Sequence, residues 1–422
     1  MYKNKIPLLI LIFSLSYQFS FGQNNTNSPY TRFGYGNISE FTSGAQRAMG
    51  GTGIGGRNKS VINNLNPASY SSIDSMTFMF DFGGSGQQSR FSNNNNGFAK
   101  TWNGNIEYVT LQFPLFKNTG FSAGLMPYSV SGYNINTVDT TISVKQLSPT
   151  TSLKDSILSS SNYTGNGGIN QIYLGLSGLL FKHLSLGVNT YYMYGKVNNS
   201  VSLRSYSDNA YPSQRQQSLS VNSYRFRFGA QYFNTIATKH YLSLGAIYES
   251  KTSLNSTLNN STVSQIAGDT VTTTGGFELP QMFGLGLNYI YDNKLTLSLD
   301  YSLQQWSKAQ FFNITDSLAN RSKIAFGTEY IPNAGSRKYL EKIRYRAGMS
   351  ISDSYYRING LVPPPNITLS FGFGFPLKNS KSIVNTTFEY GKMGSTNLLQ
   401  EDYFKFTVNV VTNEFWFFKL KL

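Results

Sequence analysis

The chain has 422 residues and a formal net charge of +15, and it contains no cysteine. Disulfide bonds, thiolate nucleophiles and cysteine-ligated metals are therefore excluded. Only 13% of the residues are charged, whereas 15% are aromatic and 39 are glycine, a mixture that favours strands over helices. The basic residues are scattered instead of clustered among aromatics, which indicates attraction to anionic membrane lipid and not to nucleic acid.

Residues 1–22 have the features of a secretory signal peptide. Two lysines precede a short apolar stretch at residues 6–13, and the small residues Ser20 and Gly22 suit a cleavage site. The apolar stretch contains a proline and is shorter than the ~20 residues that a membrane-spanning helix needs. We therefore predict export and a mature chain that begins at Gln23.

Residues 23–74 lack regular alternation and are rich in turn-forming residues. They include a Gly-x-Gly-x-x-Gly pattern at residues 51–56. A dinucleotide site would need a strand before this pattern and a helix after it, and neither is predicted, so no cofactor is expected. A long irregular segment is costly inside a compact domain, but the polar inner wall of a barrel would satisfy its backbone. We predict that residues 23–74 form a plug in a barrel lumen.

From residue 75 onward, apolar residues alternate with small or polar ones at a period of two. Between Leu295 and Leu303, for example, every second residue is Leu or Tyr. One face of such a strand suits hydrocarbon and the other a polar lumen, and most of these segments reach the ~9–11 residues that cross a bilayer. Fourteen strands are predicted, at residues 75–83, 102–113, 119–131, 168–180, 184–195, 221–236, 240–251, 279–291, 294–305, 321–331, 342–351, 366–376, 382–392 and 402–413.

The predicted connections alternate between long and short along most of the chain. Long connections rich in Asn, Ser and Thr are predicted at residues 84–101, 132–167, 196–220, 252–278 and 306–320. Short ones are predicted at residues 114–118, 181–183, 237–239, 292–293 and 377–381. Outer-membrane barrels show this alternation, whereas a soluble β-sandwich or propeller gives no reason for it. We therefore predict an all-β fold, a transmembrane antiparallel β-barrel of residues 75–422 in a bacterial outer membrane.

Two groups of motifs carry a family resemblance. Arg47-Ala48-Met49-Gly50-Gly51 followed by Asn66-Pro67-Ala68 resembles the plug, or hatch, of the FadL-type outer-membrane transporters of fatty acids and aromatic hydrocarbons. Gly284-Leu285-Gly286 followed by Leu299-Asp300-Tyr301 is similar to the late-barrel pattern of that family. The resemblance implies a plugged fourteen-stranded barrel that captures hydrophobic molecules with outer loops and releases them sideways, where its third strand kinks.

Pro127 lies within the third predicted strand of this chain. A proline cannot donate to a strand ladder and is confined to edges or breaks. We therefore predict that Pro127 marks a lateral gate, with a proline at the membrane boundary as the alternative.

Four arginines fall on the inward face of their strands by parity: Arg225, Arg227, Arg344 and Arg346. A guanidinium group suits a substrate carboxylate. Pairing with inward acids, such as Asp300, Glu329 and Glu389, or with the plug is the alternative that we favour.

The chain has two histidines, His183 and His240, and both lie in or beside short turns. An enzyme or a metal site is therefore not expected, because histidine would be needed in the lumen, at the outer rim or on the lipid face. Trp102 and Trp306 lie at predicted strand ends, where an interfacial aromatic girdle is expected.

Two functions are consistent with these features. The first is passive uptake of hydrophobic small molecules past the plug. The second is a non-transport role as an accessory or scaffold subunit of an outer-membrane protein secretion or assembly complex. Ser28-Pro29-Tyr30 and the closing Trp416-Phe417-Phe418-Lys419 resemble a Bacteroidetes branch of the family, in which some barrels of the PorV type serve secretion. A continuous apolar pocket lined by Phe, Leu and Met, holding lipid or detergent, would favour uptake. A lumen closed by polar contacts to the plug, together with an apolar patch on the outer loops, would favour the second role.

Overall fold

The computed structural model describes residues 25–94, 97–148, 151–205, 212–264, 267–378, 381–397 and 399–416. The predicted signal peptide and residues 417–419 of the closing motif lie outside these ranges. No helix within them has the length and hydropathy that crossing a membrane requires.

Fourteen long strands form one closed antiparallel ring, in which each strand pairs with its neighbours in chain order. Strands β8 and β13 pair directly, and β19 pairs with β2 to close the barrel. The ring strands are β2 (Thr77–Ser92), β3 (Phe98–Pro114), β4 (Thr119–Ser148), β5 (Thr151–Leu180), β6 (Leu184–Ser205), β7 (Ser213–Ala237), β8 (His240–Glu249), β13 (Met282–Tyr291), β14 (Leu295–Gln304), β15 (Arg321–Tyr330), β16 (Arg344–Ser352), β17 (Asn366–Pro376), β18 (Ile383–Ser395) and β19 (Leu399–Phe415). The predicted transmembrane β-barrel fold is confirmed.

The remaining elements are short. The helices are α1 (Gly44–Arg47) and the 3-10 turns Pro29–Arg32, Pro67–Ser72, Trp306–Lys308 and Tyr339–Lys342. The other strands are β1 (Asn37–Ile38), β9 (Thr252–Ser253), β10 (Ser256–Ser264), β11 (Gly268–Thr274) and β12 (Glu278–Leu279).

Side chains alternate across the wall as the sequence pattern requires. In β13, Phe283, Leu285 and Leu287 are exposed on the outer surface, whereas Met282 and Asn288 are buried on the inner one. An apolar outer surface is stable in lipid, and closure of the ring leaves no strand edge in the hydrocarbon.

The six connections that follow β3, β5, β7, β13, β15 and β17 lie at one end of the barrel, here called the turn end, and the opposite end is the loop end. Contrary to the sequence prediction, much of the loop end is strand. Residues 132–148 and 151–167 continue β4 and β5, and residues 196–205 and 213–220 belong to β6 and β7. The period-two pattern detects only strands with lipid on one face. The outward positions of these extensions, such as Lys196, Asn198 and Ser200 of β6, are polar, so the alternation that lipid requires ends there.

Residues 25–74, here called the N-terminal segment, contact strands on opposite sides of the ring. Helix α1 contacts β17, β18 and β19. The turn Pro67–Ser72 contacts β4 to β7, on the opposite side of the ring. A capping box begins α1, because Ser43 Oγ accepts a hydrogen bond from the amide of Gln46 and Gln46 Oε1 accepts one from the amide of Ser43.

Candidate functional site

The Asn66-Pro67-Ala68 motif joins the N-terminal segment to β7 and β8. Asn66 caps the 3-10 turn, since its Oδ1 accepts a hydrogen bond from the amide of Ala68 at 3.0 Å. Its Nδ2 group donates to the carbonyl of Ile54 at 2.8 Å and to the wall carbonyl of Ala230 at 3.2 Å. One fully buried carboxamide therefore ties two parts of the segment to the wall.

Glycines on the inner face of the wall allow the segment to approach this closely. A Cβ atom at Gly229 would lie within 3.0 Å of Asn66 and Pro67. The same overlap with the segment would occur at glycines on several other strands, among them Gly120, Gly187, Gly245, Gly286, Gly327, Gly348 and Gly372. These positions form a band of contact in which backbone packs on backbone, a role that only glycine fills.

Gly50 and Gly51 lie in the turn after α1. Both have a positive φ, +70° and +79°, which favours glycine. The amide of Gly50 donates to Ser370 Oγ on β17 at 3.0 Å. A side chain at position 50 would overlap with the backbone of Met349, so both the conformation and the space require glycine.

Arg47 extends from α1 to acidic residues of the wall. Its Nη2 atom lies 2.7 Å from Glu107 on β3, and its Nη1 atom lies 3.8 Å from Glu389 on β18. Lys405 on β19 shares the Glu107 carboxylate at 2.5 Å. Burial of these groups is stable only because they are paired, so the ion pairs of Arg47 fix the segment to the wall.

Asp300 on β14 binds the backbone of the N-terminal segment. Its Oδ2 atom accepts hydrogen bonds from the amides of Gly53 at 2.6 Å and Ile54 at 2.8 Å. Hydrogen bonds to a charged acceptor are stronger than neutral ones. The sequence placed Asp300 among the partners of the arginines, and the structure assigns it to the segment instead.

Glu40 forms a further ion pair between the segment and the wall. Its Oε1 atom lies 2.5 Å from Lys323 Nζ and 4.0 Å from Arg321. Burial raises the pKa of Glu40, but the two nearby cations outweigh this effect and lower the pKa to about 2.

The four inward arginines all have protein carboxylates as partners. Arg225 and Arg227 each lie 2.5 Å from an oxygen of Glu249 on β8. Arg344 and Arg346 lie 3.4 and 2.7 Å from Glu329 on β15. The structural pairing that we favoured is therefore present. A contact with a substrate carboxylate stays a prediction, and the substrate would have to compete with these acids.

An aromatic cluster fills the lumen toward the loop end. Tyr35 contacts Trp306 and Phe311, with ring centroids 5.7 and 5.1 Å apart. The Tyr355 hydroxyl accepts a hydrogen bond from the amide of Tyr35 at 2.9 Å. The girdle prediction for Trp306 is wrong, because this side chain is fully buried in the cluster, whereas Trp102 is exposed. Strand-end position alone does not distinguish an inward ring from an interfacial one.

Several small cavities lie between the segment and the wall. The one behind β3 and β4 has a volume of about 200 Å³. Charged groups border it, among them Glu40, Arg47, Glu107, Glu389 and Lys405. A second cavity of about 60 Å³ mixes apolar residues such as Phe41 and Met282 with Asp300 and Arg321. Both volumes are below the roughly 300 Å³ at which pockets for small-molecule ligands begin.

Among the described wall strands, the ladder between β3 and β4 stops close to Pro127. Strands β3 and β4 pair only between residues 109–114 and 120–125, so their pairing ends two residues before Pro127. The ladder with β5 continues past Pro127 with a bulge. Pro127 therefore lies where β4 leaves β3, and its role as a lateral gate stays a prediction.

The N-terminal segment occupies the break from the inside. Strand β1 pairs with Ser129 and Val130 of β4. On the β3 side, Asn105 Nδ2 donates to the carbonyl of Asn25 at 2.7 Å. The segment thus contacts both strands that separate at this point.

Several residues of this interface were not predicted from the sequence. Glu249 and Glu107 are the main acidic partners, and the glycine band was not recognised. Glu249 continues the inward parity of Ser243, Gly245 and Ile247, so counting acids on inward positions would have found it.

Comparisons with known proteins agree with this fold. A family model described as BamG matches residues 1–422. No curated protein matches the chain. Three solved structures are similar: the CymD monoaromatic hydrocarbon channel (14% identity, TM-score 0.58, 90% of this chain and 99% of that chain), the Pseudomonas putida toluene transporter TodX (15%, 0.55, 90% and 100%) and a Pseudomonas aeruginosa FadL homologue (11%, 0.59, 90% and 100%). At these identities the similarity is one of fold.

Proposed function

The chain belongs to the BamG family, and from the geometry of its lumen we propose that it acts as an accessory or scaffold subunit of an outer-membrane protein secretion or assembly complex. In this proposal the N-terminal segment is a plug that stays in place, and the barrel serves other proteins instead of conducting a solute.

The observation that supports the proposal is a set of buried polar contacts between the N-terminal segment and the wall. The segment is held by the Asn66 carboxamide, by Asp300 and by the Arg47–Glu107 ion pair, all of them buried. Removing one partner of a buried ion pair costs about 3–5 kcal/mol, and a buried polar group without a partner costs about 1–3 kcal/mol. Moving the segment would expose several such groups at once, so it fits a fixed element better than a mobile one.

The shape of the loop end also supports a role in protein binding. Strands β4 to β7 extend beyond the length that a bilayer requires, and the hairpin β10–β11 pairs with the outer half of β7. In the described part of the loop end, the residue pairings join β11 to β10 and the outer part of β4 to β5. Free strand edges present unpaired amide and carbonyl groups that a partner can use.

Passive uptake of a hydrophobic molecule is the second candidate, and the break between β3 and β4 favours it. An opening in the wall would allow lateral exit into the bilayer, and the hydrocarbon channels named above share the fold. The charged cavity behind this break weighs against it, because a hydrophobic molecule would have to pass Glu107 and Lys405.

An engineered disulfide bond between the segment and the wall distinguishes the two functions. Because the chain has no native cysteine, the two introduced cysteines have no other partner within the chain. The Oγ atoms of Ser71 in the segment and Ser185 in β6 are 2.7 Å apart, so S71C/S185C would join the segment to the wall. The matched control, N288C/S298C, would join β13 to β14, where these side chains are also 2.7 Å apart, and would leave the segment free.

The locked protein and the control are each expressed in cells that lack the native protein, and purified in mild detergent. We expect the same partner proteins, quantified by mass spectrometry, with both variants under oxidising and reducing conditions, and no stoichiometric hydrophobic ligand. Loss of uptake of a hydrocarbon probe in the oxidised S71C/S185C variant alone would overturn the proposal and establish transport past a mobile plug.

A further inference from the structure

The turn end combines exposed apolar side chains with exposed basic ones in the same connections. Leu115 and Phe116 precede Lys117, Phe181 precedes Lys182, and Leu377 precedes Lys378. The exposed fractions of Phe116 and Phe181 are 77% and 86%, so neither side chain adds to the core. Each of the six turns carries at least one lysine; the lysines are Lys117, Lys182, Lys239, Lys294, Lys338, Lys342, Lys378 and Lys381.

The turn between β5 and β6 indicates that its side chains serve a contact outside the barrel. Phe181 and Lys182 both have φ +44°, in the left-handed region. Two-residue hairpin turns with this geometry favour Asn, Asp and Gly, and the turn at Asp292-Asn293 follows that rule. A bulky aromatic residue and a lysine are disfavoured in this conformation. Neither side chain packs within the barrel, and this favours a contact outside it.

The charge at this end is mostly uncompensated. Asp74 pairs with Lys59 and Lys381, and Asp292 pairs with Lys239 and Lys294. Glu341 lies 3.8 Å from Lys338. Among the described residues, five basic side chains of these turns have no carboxylate partner: Lys117, Lys182, Arg337, Lys342 and Lys378.

We propose that the turn end binds the headgroups of anionic phospholipids in the leaflet that it faces. The ammonium and guanidinium groups contact lipid phosphates, while Phe116, Phe181 and Leu377 enter the acyl region next to them. Long basic side chains and interfacial aromatics divide in this way between water and hydrocarbon. The inference goes beyond the proposed function, because it requires only that the turns lie at a membrane surface.

The test measures lipid retention by the intact, purified protein. Wild-type protein is reconstituted in vesicles of phosphatidylethanolamine containing one-fifth phosphatidylglycerol, extracted with mild detergent, and analysed for bound lipid by native mass spectrometry. The variant K117Q/K182Q/R337Q/K378Q removes four unpaired charges at the turn end. The control variant R204Q/R215Q/K308Q/R357Q removes four exposed charges at the loop end. Heat-dependent migration of each variant on gels verifies folding.

We expect wild-type protein and the control variant to be enriched several-fold in phosphatidylglycerol over the vesicle composition. The turn-end variant should lose this preference at least about tenfold in affinity, because each basic group near an anionic surface contributes to binding. The preference should also weaken as salt is raised. Equal retention of the two lipids by wild-type protein, or an equal loss in both variants, would overturn the inference. The outcome does not depend on whether the barrel transports a hydrophobic molecule or acts as a scaffold subunit.

Discussion

Asn66 of the N-terminal segment lies directly against Gly229 of the barrel wall, where a side chain on residue 229 would overlap with the Asn66 carboxamide. The polar residue provides the hydrogen bonds and the glycine provides the space. A second close approach joins Gly55 of the segment to Gly286 of the wall, where two backbones are in contact without side chains between them. The fit of the segment in the lumen therefore depends on absent side chains as much as on present ones.

Substituting a glycine of this band should loosen the segment. In G229A the added methyl group overlaps with Asn66 and Pro67, and overpacking of this kind costs about 1–3 kcal/mol. Urea unfolding in detergent micelles measures the loss. The matched control is G178A, since a Cβ atom at Gly178 would meet nothing within 4 Å. G178A should leave the free energy of unfolding unchanged or slightly higher. Equal stability of the two variants would show that the wall yields at residue 229.

Neutralising Asp300 should weaken the hold of the wall on residues 53 and 54. In D300N a neutral acceptor replaces the charged one, and we expect a loss of about 1–3 kcal/mol in the free energy of unfolding. Hydrogen exchange at the amides of Gly53 and Ile54 should accelerate in the same variant. D269N, at an exposed aspartate of β11, is the control and should change neither quantity. Unchanged exchange in D300N would mean that other contacts hold this part of the segment.

Removal of Glu249 should destabilise the barrel more than any surface change. E249Q leaves the guanidinium groups of Arg225 and Arg227 buried without their carboxylate, a change that costs about 3–5 kcal/mol. The double variant R227Q/E249Q should recover part of the loss, because one of the two unpaired cations is then absent. E414Q, at an exposed glutamate of β19, should be neutral. If E249Q does not fold, recovery of folding in the double variant is the decisive measurement.

Glu40 should make the stability of the docked segment depend on pH. Its pKa is lowered to about 2, from an ordinary value near 4.5, by Lys323 and Arg321 acting against burial. A carboxylate with a lowered pKa stabilises the folded state above its ordinary pKa and loses this effect as the pH falls toward the folded value. The difference in melting temperature between wild type and E40Q should be constant from pH 8 to 5 and shrink from pH 4.5 to 2. A difference that is independent of pH would contradict the ion pair.

The strand content was predictable because lipid imposes a strict rule on each wall strand. All fourteen ring strands were located from alternation, and β14 and β15 agree with the prediction to within one residue at each end. The rule ends at the membrane surface, so the extensions of β4 to β7 were taken for loops. The hairpin β10–β11, which pairs with β7, carries no apolar face and was not predicted.

The residues of the site were predictable only in part. Asn66, Arg47, Gly50 and Gly51 were recognised by resemblance, and the structure places all four at the contact of segment and wall. Their partners could not be assigned, because Glu107 and Ser370 lie 60 and 320 residues away in the chain. Parity places an acid on the inner face but does not tell which cation it meets.

By itself the sequence determined that fourteen segments have one face for lipid and one for a polar interior, because that requirement acts on each strand separately. Only the tertiary structure decided where the N-terminal segment contacts the wall, which of the inward charges pair with one another, and that glycines of several strands allow the close approach of one segment. Those features depend on which residues meet across the lumen, and closure of the ring brings together side chains whose separation along the chain has no regular pattern.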